Sequence, residues 1–201
     1  MAAFSIFRSV KVIRSSSLKC TACQEGHLTP SFIDALFRSH TCDHCGGNWI
    51  LIEDYISWKE RHPEHVFDDG HIENIDAEDT IGAMICPMTG SIMSKFRITK
   101  DHAHRIDYSA RVGGVWLNKG EWEMLVAEGL AGNLNAILTD HWQQRIREER
   151  TSDTFAHLYR QKFGDSDYEK ALEIRQWLND HPQKPDLRAF LMAENPFSAI
   201  E

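Results

Sequence analysis

Two pairs of cysteines are the residues in this chain best placed to do chemistry. The first is Cys20-Thr21-Ala22-Cys23, and the second is Cys42-Asp43-His44-Cys45, followed by Gly46-Gly47-Asn48-Trp49. Each Cys-x-x-Cys turn presents two sulfurs on one tight bend, and the loop between the turns is long enough to bring them together. Four thiolates at this spacing are the ligand set of a closed, tetrahedral structural zinc site with Zn–S bonds of about 2.3 Å. Gly46 and Gly47 tolerate positive φ, so the backbone N–H groups after the second turn can curl toward sulfur. The competing readings are two disulfides or four unrelated thiols. No hydrophobic signal region accompanies the cysteines, and a reducing compartment favours the metal.

The remaining candidate ligands are surplus to this set. His27, His40 and His44 lie close in sequence, but four cysteines already complete the coordination and the histidines read as solvated or outer residues. Cys86 is the fifth and odd thiol. A catalytic zinc keeps an open position, whereas four cysteines close this one. The chain has no G-x-S-x-G, no H-E-x-x-H and no phosphate-cradling glycine loop. The expectation is therefore not an enzyme. The alternative would make Cys86 a nucleophile with His102 or His104 as base, although nothing in the sequence brings them together.

The elements that position the cysteines come from a repeat. With Cys20 set over Cys86, Gly46-Gly47-Asn48-Trp49-Ile50 falls over Gly113-Gly114-Val115-Trp116-Leu117, Asp54 over Glu121 and Tyr55 over Trp122. The offset is 66 at the start and 67 at the end, which marks a duplicated supersecondary unit with one inserted residue. In the second copy Thr89, Ser109 and Val112 replace three of the four thiols, so that copy is expected to hold no metal unless His102 and His104 complete a site with Cys86. Packing of Val112, Trp116 and Trp122 is expected to replace the ion.

Segments 28–41 and 48–52 read as short strands. A helix is expected over 53–61, stopped by His62-Pro63. Asn118 is placed to cap a further helix that ends at Gly129. A long helix follows from Asn133 to Phe163, where Gly164 stops it. Ser166-Asp167-Tyr168-Glu169 reads as the capping box of the next, and Pro185 opens a last one over 185–194.

Charge is uneven along the chain. The total is −8, with 42% hydrophobic and 26% charged residues, ordinary for a globular protein and against a simple nucleic-acid-coating role. No run of about 18 apolar residues predicts a membrane span. Residues 53–79 hold ten acids against Lys59 and Arg61 and read as a solvated linker, or as an acidic surface for a basic partner. Between 91 and 119, Lys95, Arg97, Lys100, Arg105, Arg111 and Lys119 stand against Asp101 and Asp107, with Phe96, Tyr108 and Trp116 interleaved. Lys95, Arg97, Lys100, Arg105 and Arg111 are the candidate nucleic-acid contacts, since cations with aromatics can dock phosphates and stack bases. Ordinary packing and solvation would give the same composition. Residues 1–19 carry four bases and no acid, as a basic arm or a mitochondrial-type transit segment would.

The motif Cys20-x-x-Cys23 … Cys42-x-x-Cys45-Gly46-Gly47-x-Trp49, with Asp54 and Tyr55 after it, resembles the bacterial transcription-factor-IIB-type zinc ribbon domain. The second copy, Gly113-Gly114-Val115-Trp116-Leu117-Asn118-Lys119-Gly120-Glu121, is similar to that family's distal motif without its cysteines. The resemblance covers about 20–58 and 86–126. It implies a small zinc-stabilised β-ribbon in a bacterial cytoplasmic protein, with a nucleic-acid or transcription-related role; zinc ribbons also dock proteins. The expected architecture is α+β. It comprises a basic arm (1–19), a zinc ribbon (20–61), an acidic linker (62–84), a metal-free ribbon (85–130) and a helical tail (131–201). One structural Zn2+ is expected. The expected partner is nucleic acid or another protein, and the tail offers a route to a homo-oligomer.

Overall fold

A computed structural model describes residues 18–67, 77–80 and 82–197. The fold is α+β. Most of the basic arm and the middle of the acidic segment lie outside the described residues. The strands are β1 (Leu18–Lys19), β2 (His27–Ile33), β3 (Phe37–Cys42), β4 (Asn48–Leu51), β5 (Ser94–Arg97), β6 (Arg105–Ser109) and β7 (Gly114–Leu117). Helix α1 (Ile52–Arg61) follows β4, and α2 (Glu121–Ala127) follows β7. All seven strands form one antiparallel sheet in the order β1-β2-β3-β4-β7-β6-β5.

The two sequence copies are joined edge to edge rather than strung on a linker. β4 pairs antiparallel with β7, with Trp49 opposite Trp116 and Ile50 opposite Val115. The repeat offset of 67 maps Trp49 onto Trp116, so this pair is its own image. The copies therefore meet about a pseudo-two-fold, the arrangement of an isologous dimer interface within one chain. The packing is reciprocal. A Cβ on Gly114 would lie 2.0 Å from Trp49 Cζ2, and one on Gly47 would lie 2.3 Å from Trp116 Cζ2. Gly47 and Gly114 are thus required for space. Positive φ is needed only at their neighbours, Gly46 (73°) and Gly113 (61°), which narrows the expectation that both glycines of the pair serve backbone freedom.

Side chains alternate across a strand, so the shared sheet has two cores. On one face Trp49 and Trp116 pack with Cys20, Leu28, Cys42, Met84, Cys86 and Met93. On the other, Ile50, Val115 and Leu117 pack with Tyr55 and Trp58 of α1, Trp122 and Leu125 of α2, and Phe37. Trp122 belongs to this second core, edge-on to Phe37 at 5.3 Å, so it takes no part in replacing the missing ion. Val112 and Trp116 do lie in the cysteine-side cluster. The Tyr55 hydroxyl donates to Ala131 O at 2.8 Å and ties α1 to the chain beyond α2.

Helix boundaries follow local chemistry with two corrections. Gly129 (φ 66°) ends α2 as expected; its N–H reaches Val126 O, and that of Leu130 reaches Leu125 O, which is a Schellman turn. Asn118 does not cap α2, since Gly120 occupies that position. The Asn118 side chain lies inside, accepting from Trp116 Nε1 (2.9 Å) and Thr80 Oγ1 (2.8 Å) and donating to Glu121 Oε1 (3.2 Å). The expected long helix is interrupted at Leu138-Thr139, leaving α3 (Leu134–Ile137) and α4 (Asp140–Phe163). The next helix, α5 (Asp165–Asp180), begins before Ser166 with Gly164 at its N-cap, so the predicted capping box falls within the helix. The last is α6 (Lys184–Met192).

The chain divides into two compact units, 1–146 and 147–201. Both repeat copies belong to the first, which extends past the expected boundary because Leu134, Ile137 and Ile146 are buried. In the second unit no residue of α5 or α6 is buried.

A buried polar group beneath the second copy gives the fold a pH dependence. Glu121 is fully buried, and burial pushes its carboxyl up to about 8, although the Asn118 backbone N–H donates to it at 2.7 Å. Between the ordinary value of 4.5 and about 8 the folded state holds a proton that the unfolded state has released. Stability therefore falls as pH rises through this window. Glu121→Gln keeps a neutral side chain at every pH. Wild type should lose on the order of 3 kcal/mol relative to this variant between pH 5 and 8. Paired denaturant melts across that range check the trend, and a difference independent of pH would contradict it.

Candidate metal centre

Both cysteine turns have the same backbone. In the first, Gln24 N–H donates to Cys20 O at 3.2 Å, with Gln24 at φ 61°. In the second, Gly46 N–H donates to Cys42 O at 3.1 Å, with Gly46 at φ 73°. The left-handed residue after each pair bends the chain so that backbone N–H groups face sulfur. Gly26 N donates to Cys23 Sγ at 3.3 Å, while His44 N and Cys45 N reach Cys42 Sγ at 3.4 Å. Gly26 also admits the second turn, since a Cβ there would lie 2.6 Å from Cys42 Sγ and Asp43 Oδ1. Across the top, His44 pairs with Glu25 at 2.9 Å and Asp43 accepts from His27 N at 2.7 Å.

The four Sγ atoms of Cys20, Cys23, Cys42 and Cys45 all lie within 4.8 Å of one another. Cys20 and Cys45 are separated by 3.8 Å and Cys23 and Cys42 by 3.7 Å, and none is in a disulfide. A regular tetrahedron with metal–sulfur bonds of about 2.3 Å has S···S edges of about 3.8 Å. Two of the six edges match this length and the rest lie within 4.8 Å, so the arrangement is compatible with one tetrahedral metal ion.

Electrostatics point the same way. Burial pushes the Cys20 thiol up to about 11 and also raises that of Cys45, with neighbouring thiols adding to both. Burial opposes ionisation of Cys23 too, but the N–H groups of Gly26 and Glu25 and the thiols of Cys20 and Cys42 outweigh it and bring the group to about 6. One thiol ionises readily and its neighbours then resist. Four thiolates coexist in this space only with a cation among them.

The second copy keeps the turns and loses the ligands. Gly90 N–H donates to Cys86 O at 2.9 Å with Gly90 at φ 70°, as at the first cysteine turn. Cys86 is fully buried among Met84, Met93 and Trp116. Burial raises its thiol, but hydrogen bonds from the Ser109 and Thr89 side chains and nearby N–H groups pull it below the ordinary thiol value. Among the described residues the four-cysteine set is the one group with metal-binding geometry, so His102 and His104 do not complete a second site with Cys86. They sit beside each other, ring centroids 5.5 Å apart, with His102 facing Glu128 at 3.6 Å.

The basic residues singled out in the second copy are dispersed in role. Lys95 Nζ bonds Asp107 Oδ2 (2.9 Å) and Thr80 O (2.6 Å), and its side chain is 17% exposed. Arg97 donates to His102 O at 2.8 Å, and Lys100 lies 3.9 Å from Asp101. Arg105 and Arg111 are exposed. Gln24 and Glu25, legible from sequence only as part of a turn-like passage, shape the site; the residue four positions after Cys20, Cys42 and Cys86, namely Gln24, Gly46 and Gly90, was the available signal. Among the described residues no helix is long and apolar enough to cross a membrane. No family model, no curated protein and no solved structure matches this chain.

Proposed function

We propose that the protein is a non-enzymatic binding module in which one zinc ion, held by Cys20, Cys23, Cys42 and Cys45, fixes the fold. The mutual approach of the four sulfurs carries this reading. Four protein thiolates leave no open position for substrate or activated water, so the ion is structural. The partner in this reading is nucleic acid or the transcription machinery, as the zinc-ribbon resemblance implies. Arg105 and Arg111, exposed on the second copy, are available to phosphates. Lys95 is not, because its amine neutralises buried Asp107.

A second reading, an assembly scaffold, is favoured by the helical unit. Trp177, Phe190 and Leu191 are about half exposed, and Phe155, Tyr159 and Phe163 stack four residues apart along α4. Sedimentation of the chain alone and with a labelled oligonucleotide, at low and moderate salt, separates the two. The first reading expects co-sedimentation that weakens with salt and with Arg105→Gln/Arg111→Gln. Concentration-dependent self-association without oligonucleotide binding would favour the scaffold.

A further inference from the structure

A cavity of about 610 Å3 opens between the β2–β3 hairpin and the end of α1. The hairpin contributes Phe32 and Arg38; α1 and the turn after it contribute Asp54, Arg61, His62 and His65. Its volume falls within the range of small-molecule sites.

Its charge is unusual for a chain with a net charge of −8. Two guanidinium groups and two imidazoles face a single carboxylate. Arg38 and Arg61 are exposed, and among the described residues neither forms an ion pair. Arg61 Nε donates to Ser57 O at 2.8 Å, which anchors the side chain and leaves its terminal nitrogens free to face a ligand. Two guanidinium groups lining one cleft against a single carboxylate leave an excess positive charge that an anion would stabilise, and guanidinium groups suit phosphate oxygens in particular.

The walls are fixed. His62 stacks on Trp58 at 5.0 Å and 20°, and its Nδ1 meets Trp58 O at 2.8 Å. A carbonyl only accepts, so Nδ1 carries the hydrogen and Nε2 is left for another partner. His65 stands edge-on to the same indole at 4.9 Å. The hairpin turns through Asp34 (φ 47°) and Ala35 (φ 58°), left-handed positions usually filled by Asn and Gly. The Asp34 carboxylate accepts from Trp122 Nε1 and locks the turn to α2. At the rim Phe32 is 63% exposed, an apolar ring facing solvent from a strand.

We propose that this cleft binds a nucleotide: a phosphate monoester of a sugar that also carries an aromatic base. The source would be a free nucleoside monophosphate or the 5′-phosphate end of a nucleic-acid strand. Arg38 and Arg61 would hold the phosphate, Phe32 would stack on the base, and Asp54 would accept from a hydroxyl or amino group. This site is separate from the cysteine centre and does not rest on the ion's identity.

Calorimetric titration of the full chain with adenosine monophosphate, inorganic phosphate, and a short oligonucleotide with and without a 5′-phosphate tests it. A phosphorylated probe is expected to bind with Kd below about 1 mM. Arg38→Gln should weaken it about tenfold or more, and Arg38→Gln/Arg61→Gln should abolish it. Phe32→Ala should weaken the nucleotide and leave inorganic phosphate unchanged. Binding of the mononucleotide alone, or of the phosphorylated strand alone, identifies the source and supports the proposal either way. No binding of either phosphorylated probe, equal binding of the unphosphorylated strand, or full retention in Arg38→Gln overturns it. Arg38 is exposed and makes no ion pair among the described residues, so that variant should fold and decides the matter even if Arg61→Gln disturbs α1.

Discussion

Cys42→Ser is expected to lose the metal and the cooperative fold of residues 18–146 together. Cys42 is buried, its sulfur receives the N–H groups of His44 and Cys45, and Gly26 is pressed against it. Structural zinc contributes about 10–16 kcal/mol at neutral pH. That matches or exceeds the roughly 5–15 kcal/mol net stability of a whole domain. In the first copy only Leu28 and Trp49 are fully buried beside the sulfurs, with Leu18, Ala22 and Leu51 partly buried against them, too little apolar surface to replace the ion. Since β4 pairs with β7, loosening the first copy strips the second of its neighbour. Far-ultraviolet circular dichroism during heating, with metal content measured on the same samples, should show a broad or absent transition and no zinc. Cys86→Ser should keep both the metal and the transition. A Cys42→Ser protein that melts sharply near wild type would show that the ion is dispensable.

Gly114→Ala should be the most damaging glycine-to-alanine change among the described glycines. The new Cβ would sit 2.0 Å from Trp49 Cζ2 and 2.1 Å from Cη2, and Trp49 is 1% exposed. The ring has no open side into which to move. Overpacking of this kind costs about 3 kcal/mol or more. Gly82→Ala is the control, because its Cβ meets nothing within 4 Å. Trp49→Phe removes the two clashing atoms, so the double variant Trp49→Phe/Gly114→Ala should recover part of the loss. A double-mutant cycle by urea denaturation reads the coupling directly. Purely additive losses would mean that the pseudo-two-fold contact is not as tight as described.

What could be read from the chain, and what could not, divides by distance. The cysteine turns were legible because metal geometry constrains spacing locally. Gly129 was legible because a left-handed residue after a helix has few substitutes, and α1 was found within one residue of its start. The duplication was visible as an offset, yet the offset did not say that the copies share one sheet. That outcome depends on Trp49 meeting Trp116 and on Gly47 and Gly114 making room, contacts between residues 65 to 69 positions apart. Lys95 illustrates the same gap. In sequence it belongs to a basic, aromatic stretch, but in the fold its amine is turned inward onto Asp107. Asn118 had the type and place of a helix cap, but the indole of Trp116 and the carboxyl of Glu121 compete for it more strongly inside. The phosphate cleft had no signature at all, because its two walls are brought together only when β3 and α1 pack.

The most direct test of the account is the metal content and sulfur coordination of the purified chain, kept reduced throughout. The account predicts one zinc per chain, with an X-ray absorption spectrum fitted by four sulfur neighbours at about 2.3 Å. A metal-free chain that is nonetheless folded, or a zinc ion with nitrogen or oxygen among its neighbours, would contradict it.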